Sequence, residues 1–150
     1  MVDSSSPRFV NVQLPKEVVD PHHHFLLSPA GTFLAGLGAP SYSPKQYHCD
    51  VVQDLDSVGV KLAASVHVEA IPDVGKEDEE VKWVQGLVSD GSAPTVSGIV
   101  AACDVAASEK AFKTSLDKLR KASKLVKGVR WIVDVGASLD AEATHVAVNK

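Results

Sequence analysis

Four short runs of apolar, mostly β-branched residues alternate along the chain with longer segments of helical periodicity. The apolar runs are Val18–Asp20, Leu62–Val68, Ser97–Ala102 and Lys127–Val133. Such runs, bounded by Gly, Pro or charged residues, are typical of strands that are covered on both faces. The order strand, helix, strand, helix indicates right-handed βαβ units. We therefore expect an α/β fold with a parallel sheet and four βα units.

Three of the intervening segments have the period of an amphipathic helix. Their predicted inner faces comprise Tyr47, Val51, Leu55 and Val58 in the first, Val81, Val84, Leu87 and Val88 in the second, and Phe112, Leu116 and Leu119 in the third. Ser108 is placed to cap the third helix. The acidic stretch Glu77–Glu80 is expected to form a solvated start of the second helix. A fourth helix is expected over Leu139–Val148.

Composition and charge narrow the class of protein. Of the 150 residues, 45% are apolar and 23% charged, which favours a globular domain over a disordered chain. We predict a flexible leader over residues 1–16 and one domain over residues 17–150. Fifteen Lys and Arg against nineteen Asp and Glu give a net charge of −4 without a basic stripe, which argues against nucleic acid as the partner. With no long apolar run, no signal-peptide pattern and only two cysteines, we expect a cytoplasmic protein without a membrane span.

Three consecutive histidines after the first apolar run carry the clearest chemical signal. On a strand, His22 and His24 point to one side and His23 to the other. Two neutral imidazoles on one side can bind one divalent ion, for which zinc is suitable, if other strands supply further ligands. Asp20 is a candidate for orienting these ligands without touching the ion. A solvated loop is the alternative interpretation, whereas an expression tag would be longer and terminal.

The segment Asp20–Phe25 resembles the Asp-x-His-x-His opening of the amidohydrolase superfamily. The resemblance is to the amidohydrolase-related (family 2) TIM-barrel hydrolases, which include sugar-acid lactonases. It continues through Ser65–Ala70, Ile99–Asp104 and Val126–Arg130, and so covers roughly residues 17–135. Phe25 is followed by two leucines where relatives often have Trp and Asp.

The resemblance implies a (β/α)8 barrel and a divalent ion, usually zinc, held by His22 and His24. It further implies hydrolysis of a small lactone or cyclic amide by metal-activated water, although some relatives decarboxylate and some work without a metal. The remaining ligands in the family are a His after strand five, often another after strand six, and an Asp after strand eight. These would lie beyond Lys150, and Asp140 and His145 come too early to match them.

Two further residues are expected at the carboxyl ends of the barrel strands. On the second strand, Ser65, His67 and Glu69 share one face, while Val66 and Val68 are predicted to face the helices. If the polar face is the inner one, Glu69 lies at the mouth of the barrel, where active sites occur.

Arg130 is expected at the same mouth, from the fourth strand. Its planar guanidinium can bind a substrate carboxylate. The alternative is a salt bridge at the rim, with Glu69 as its partner. From their position at the mouth, both Glu69 and Arg130 are predicted to bind substrate.

A full barrel takes about 250 residues, so the chain is expected to hold only the first four βα units. The exposed inner face then belongs either to a fragment of a longer enzyme or to a chain that associates with itself or with another protein. Two histidines also fall short of the three protein ligands usual for catalytic zinc. Two functions stay open: a metal-dependent hydrolase, and a non-catalytic half-barrel that acts as a pseudoenzyme or interaction module. A further His and Asp after Lys150 would favour the first, and a natural stop there the second.

Overall fold

A computed structural model describes residues 13–26, 38 and 40–132. Its four strands are β1 (Glu17–His23), β2 (Lys61–Val68), β3 (Val96–Ala102) and β4 (Val126–Arg130). The helices are α1 (Pro44–Tyr47), α2 (Gln53–Ser57), α3 (Glu77–Ser89) and α4 (Glu109–Ala122), with a π-helical turn, His48–Val52, joining α1 to α2. The helix expected over Leu139–Val148 and most of the predicted leader lie outside the described residues.

The four strands form one parallel sheet in the order β1-β2-β3-β4. This confirms the α/β class and the parallel sheet, and each strand overlaps the run that predicted it. Neighbours in sequence are also neighbours in the sheet, which is the strand order of a (β/α)8 barrel. The barrel itself stays a prediction. No helix among the described residues is long and apolar enough to cross a membrane.

The helices α3 and α4 pack on one side of the sheet through the residues that their periodicity predicted. Val81 and Val84 of α3 and Leu119 of α4 are almost completely buried, in one cluster with Ile99 and Ala101 of β3. The predicted capping of α4 is also present, because the Ser108 hydroxyl accepts a hydrogen bond from the Ala111 amide at 3.3 Å. The helical layer therefore fixes which face of each strand lies in the core.

The segment between β1 and β2 departs from the predicted regular helix. Ser43 and Gln46 cap α1 reciprocally, and the π-helical turn then inserts an extra residue into the helical repeat. Val51 and Leu55 still pack against the core, but Val58 is 57% exposed. The prediction for Val58 is wrong because α2 ends at Ser57.

The prediction for the faces of β2 is also wrong. Ser65 and His67 do share a face, but that face meets the helical layer: His67 stacks on Phe25, and its Nε2 lies 3.7 Å from the Glu80 Oε1 of α3. Val66 lies on the other face, where it is the neighbour that a Cβ on Gly98 would contact. The polarity of these residues predicted the wrong face: Ser65 is buried with hydrogen bonds to His23 of β1 and Thr95 before β3, and His67 is buried beside Glu80.

Candidate functional site

The end of β1 sets the directions of the three histidines. The register with β2 shifts between Asp20 and His23, as at a β-bulge. One Asp20 oxygen accepts the His22 amide at 2.9 Å, and the other accepts the Tyr47 hydroxyl at 2.8 Å. Asp20 therefore anchors the backbone at His22 to α1.

His22 and His24 come together on one side of the strand, as predicted. Their Nε2 atoms are 3.1 Å apart, and the ring centroids are 4.9 Å apart. Zinc binds imidazole nitrogen at about 2.0–2.1 Å, so two ligands at this separation subtend an angle of about 100° at one ion. The pair therefore has the spacing of two ligands of a single ion.

The protonation of His24 is fixed by backbone carbonyls at the end of β2. Its Nδ1 lies 2.9 Å from the Val68 oxygen and 3.1 Å from the Glu69 oxygen. Because a carbonyl can only accept, Nδ1 carries the proton and Nε2 keeps its lone pair. Burial lowers the pKa of His24, the hydrogen bond to Val68 opposes that fall, and the charge of Arg130 adds to it. In the neutral ring the Nε2 of His24 is the unprotonated nitrogen; it lies within hydrogen-bond distance of the His22 Nε2 and is the atom that could bind a metal.

His23 points the other way, into the helical layer. It is 6% exposed, packs on the rings of Phe25 and Tyr47, and its Nε2 lies 3.2 Å from the Ser65 hydroxyl. Burial lowers the pKa of His23 to about 4, assisted by the nearby His67. His23 is therefore a neutral core residue, separate from the His22–His24 pair.

Glu69 and Arg130 form an ion pair at the carboxyl ends of β2 and β4. Arg130 donates from Nε to Glu69 Oε1 at 2.5 Å and from Nη2 to the Glu69 carbonyl at 3.0 Å. The second carboxylate oxygen accepts the Ile71 amide at 2.6 Å. Burial raises the pKa of Glu69, while the Ile71 hydrogen bond and the charge of Arg130 oppose the rise. The salt bridge considered as the alternative role of Arg130 is thus present.

One buried carboxylate near the site was missed by the sequence analysis. Glu80, expected in a solvated helix start, is only 2% exposed, so that expectation is wrong for this residue. Its Oε1 accepts the Ala70 amide at 2.9 Å. The signal was available in the sequence, because Glu80 lies one helical turn before the core residue Val84 and shares its face.

The structure thus gathers the His22–His24 pair, the Glu69 carbonyl and the Arg130 guanidinium around the ends of β1, β2 and β4. Within residues 13–26, 38 and 40–132, no group of three or more His, Cys, Asp or Glu side chains is arranged to hold a metal ion. The two imidazoles are one fewer than the three protein ligands usual for a catalytic zinc site.

Comparisons with models of protein families, with curated proteins and with solved structures find no match for this chain. The resemblance to the amidohydrolases therefore stays a prediction that depends on the motif residues.

Proposed function

We propose that this chain contributes to the active site of a metal-dependent hydrolase of the amidohydrolase type. Its substrate would be a small lactone or a cyclic amide or ester. The observation that carries the proposal is the 3.1 Å separation of the His22 and His24 Nε2 atoms beyond the end of β1. That end of a parallel strand is where barrel enzymes place their catalytic groups.

Hydrogen bonds within the chain fix the positions of these two histidines. The Val68 and Glu69 carbonyls keep His24 in the tautomer with an unprotonated Nε2, and Asp20 anchors the His22 backbone. A divalent ion bound there, zinc being well suited to imidazole, would lower the pKa of a bound water toward about 7. In this proposal the remaining ligand comes from outside the described residues or from a second chain.

Arg130 is proposed to bind a carboxylate of the substrate. Its side chain keeps 30% exposure beside the ion pair, and its five N–H donors exceed what Glu69 accepts. Glu69 is only 3% exposed and has both carboxylate oxygens engaged. This burial disfavours a direct contact between Glu69 and substrate, so Glu69 acts by fixing the orientation of Arg130.

Zinc titration followed by calorimetry tests this function. The wild-type protein is expected to bind Zn²⁺, and the His22→Ala/His24→Ala variant to lose that binding. His48→Ala is the matched control, because His48 is an exposed histidine on the π-helical turn. A panel of lactones then tests for metal-dependent hydrolysis. Unchanged stoichiometric zinc in the double variant would rule out the proposed site.

The second candidate function, a non-catalytic half-barrel module, has one observation in its favour. Val19 is 56% exposed, while its neighbour Val18 packs against the core, so an apolar residue stands on the side of β1 away from the helices. The outer strands β1 and β4 each have one unpaired edge in the described sheet. Self-association without lactone hydrolysis would favour this alternative.

A further inference from the structure

A buried carboxylate of α3 contacts the turn that follows β2, formed by Glu69–Ile71, whose Glu69 carbonyl faces His24. Glu80 is 2% exposed, and burying a carboxylate is costly unless hydrogen bonds compensate it. Its Oε1 accepts the Ala70 amide at 2.9 Å and lies 3.7 Å from the Nε2 of His67, which is fully buried. The carboxylate of Glu80 therefore links α3 to the residue that follows Glu69.

The same turn contains an unusual backbone conformation. Ile71 has a φ of 53°, in the left-handed region that β-branched residues rarely adopt. Two successive amides of the turn are held by carboxylates: Glu80 accepts from Ala70, and Glu69 accepts from Ile71. Backbone in such a conformation persists only where its surroundings hold it there, and these two hydrogen bonds do so.

One of the two carbonyls that face His24 belongs to this turn: the Glu69 carbonyl shares its peptide group with the Ala70 amide, whereas the Val68 carbonyl ends β2 and shares its peptide group with the Glu69 amide, which donates to Val100 of β3. The Val68 and Glu69 oxygens accept from His24 Nδ1, and the Glu69 oxygen also accepts from Arg130. A displacement of the turn would remove the Glu69 carbonyl as one of the two acceptors of the His24 Nδ1 proton and so weaken the preference for that tautomer.

We propose that Glu80 is a positioning residue for the His22–His24 pair: through the Ala70 amide it holds the peptide group whose Glu69 carbonyl helps to keep the His24 Nε2 unprotonated. The role of Glu80 in a metal site rests on the proposed function, whereas its effect on the His24 tautomer does not. Groups that orient metal ligands in this way typically change metal affinity by about 10–100-fold when they are lost.

The test compares Glu80→Met, which removes the acceptor, with Glu80→Gln, which retains an oxygen that can accept the Ala70 amide. Two-bond ¹H–¹⁵N NMR on the metal-free protein reports the His24 tautomer, and Zn²⁺ titration reports affinity. Glu80→Met is expected to give mixed His24 tautomers and at least about ten-fold weaker zinc binding. Glu80→Gln is expected to behave as the wild type. Glu79→Met controls for an exposed glutamate on the same helix, and Val84→Ala for destabilisation of α3.

Glu80→Asp is the second variant if Glu80→Met fails to fold, because it withdraws the carboxylate by one methylene group while keeping its charge. It is expected to change the tautomer in the same direction. A wild-type His24 tautomer in folded Glu80→Met or Glu80→Asp, or an equal change in Val84→Ala, would overturn the positioning role. Absence of zinc binding in every variant, together with the expected tautomer change, would instead refute the metal site and leave the role of Glu80 in place.

Discussion

Replacing Arg130 with Met removes the positive partner of a deeply buried carboxylate. Glu69 would keep the Ile71 amide as a hydrogen-bond donor but would lose both the guanidinium charge and the Nε hydrogen bond. The carboxylate is 3% exposed, so water cannot replace that partner without a structural change.

The expected loss in the free energy of unfolding of Arg130→Met follows from the burial of Glu69 and Arg130. Breaking a fully buried ion pair by removing one partner costs about 3–5 kcal/mol. Arg130 retains 30% exposure, which screens the interaction, so the cost falls at or below the lower end of that range and we expect a loss of about 2–3 kcal/mol at pH 7. Glu69→Gln added to Arg130→Met removes the buried charge, and the double variant should recover about half of that loss.

The pH dependence of Arg130→Met gives a second signature. Burial already raises the pKa of Glu69 in the wild type, and loss of the Arg130 charge raises it further. A carboxyl group whose pKa is higher in the folded than in the unfolded chain lowers the free energy of unfolding at every pH above its pKa in the unfolded chain. Lowering the pH toward that value protonates Glu69 and should restore stability to the variant.

Urea unfolding of the wild type, Arg130→Met and the double variant at pH 7 and pH 5 measures these free energies. Lys82→Met is the control, because it breaks the exposed Lys82–Asp78 pair, and its unfolding midpoint should stay close to that of the wild type. An Arg130→Met variant as stable as the wild type at pH 7, or one no less destabilised at pH 5, would refute the account of the buried pair.

Three further predictions concern the core, a helix cap and the open side of the sheet. The pKa of His23 is about 4 in the folded chain against an ordinary value near 6.5, so stability should fall by up to about 3 kcal/mol as the pH drops from 6.5 to 4. His23→Phe should remove most of this acid-induced loss of stability in chemical unfolding experiments, and the remainder should come from His24. An unchanged loss in His23→Phe would contradict the burial of neutral His23 as its cause. Ser108→Ala should lower the free energy of unfolding by about 1 kcal/mol through loss of the α4 cap, whereas a neutral result in denaturant titration would count against the cap. Val19→Lys should reduce self-association measured by light scattering after size exclusion, and a wild-type protein that is strictly monomeric would remove the basis for that association.

Local patterns in the sequence were enough to predict the strands, two helices and the shared side of His22 and His24. The period of Val81 and Val84 fixed the inner face of α3, because a helix repeats its faces over a few residues. The shared side of the two histidines followed in the same way from strand alternation. The register shift between Asp20 and His23 includes His22, and the two rings nevertheless lie on one side.

The face of β2 was not predictable from local pattern. Ser65 and His67 alternate as a polar face would, but their partners lie on β1, on α3 and in the loop before β3. Whether a polar side chain is buried depends on such distant partners, so the binary pattern alone assigned the wrong side. The exposure of Val58 has a more local cause, since the end of α2 removed it from the helix.

The central claim is that one ion binds between the two Nε2 atoms of His22 and His24. An anomalous difference map from a crystal of the full chain grown with Zn²⁺ tests this most directly. The account predicts a zinc peak about 2.0–2.1 Å from both nitrogens. A zinc peak at another place, or none at this pair while His22→Ala/His24→Ala binds zinc as well as the wild type, would contradict it.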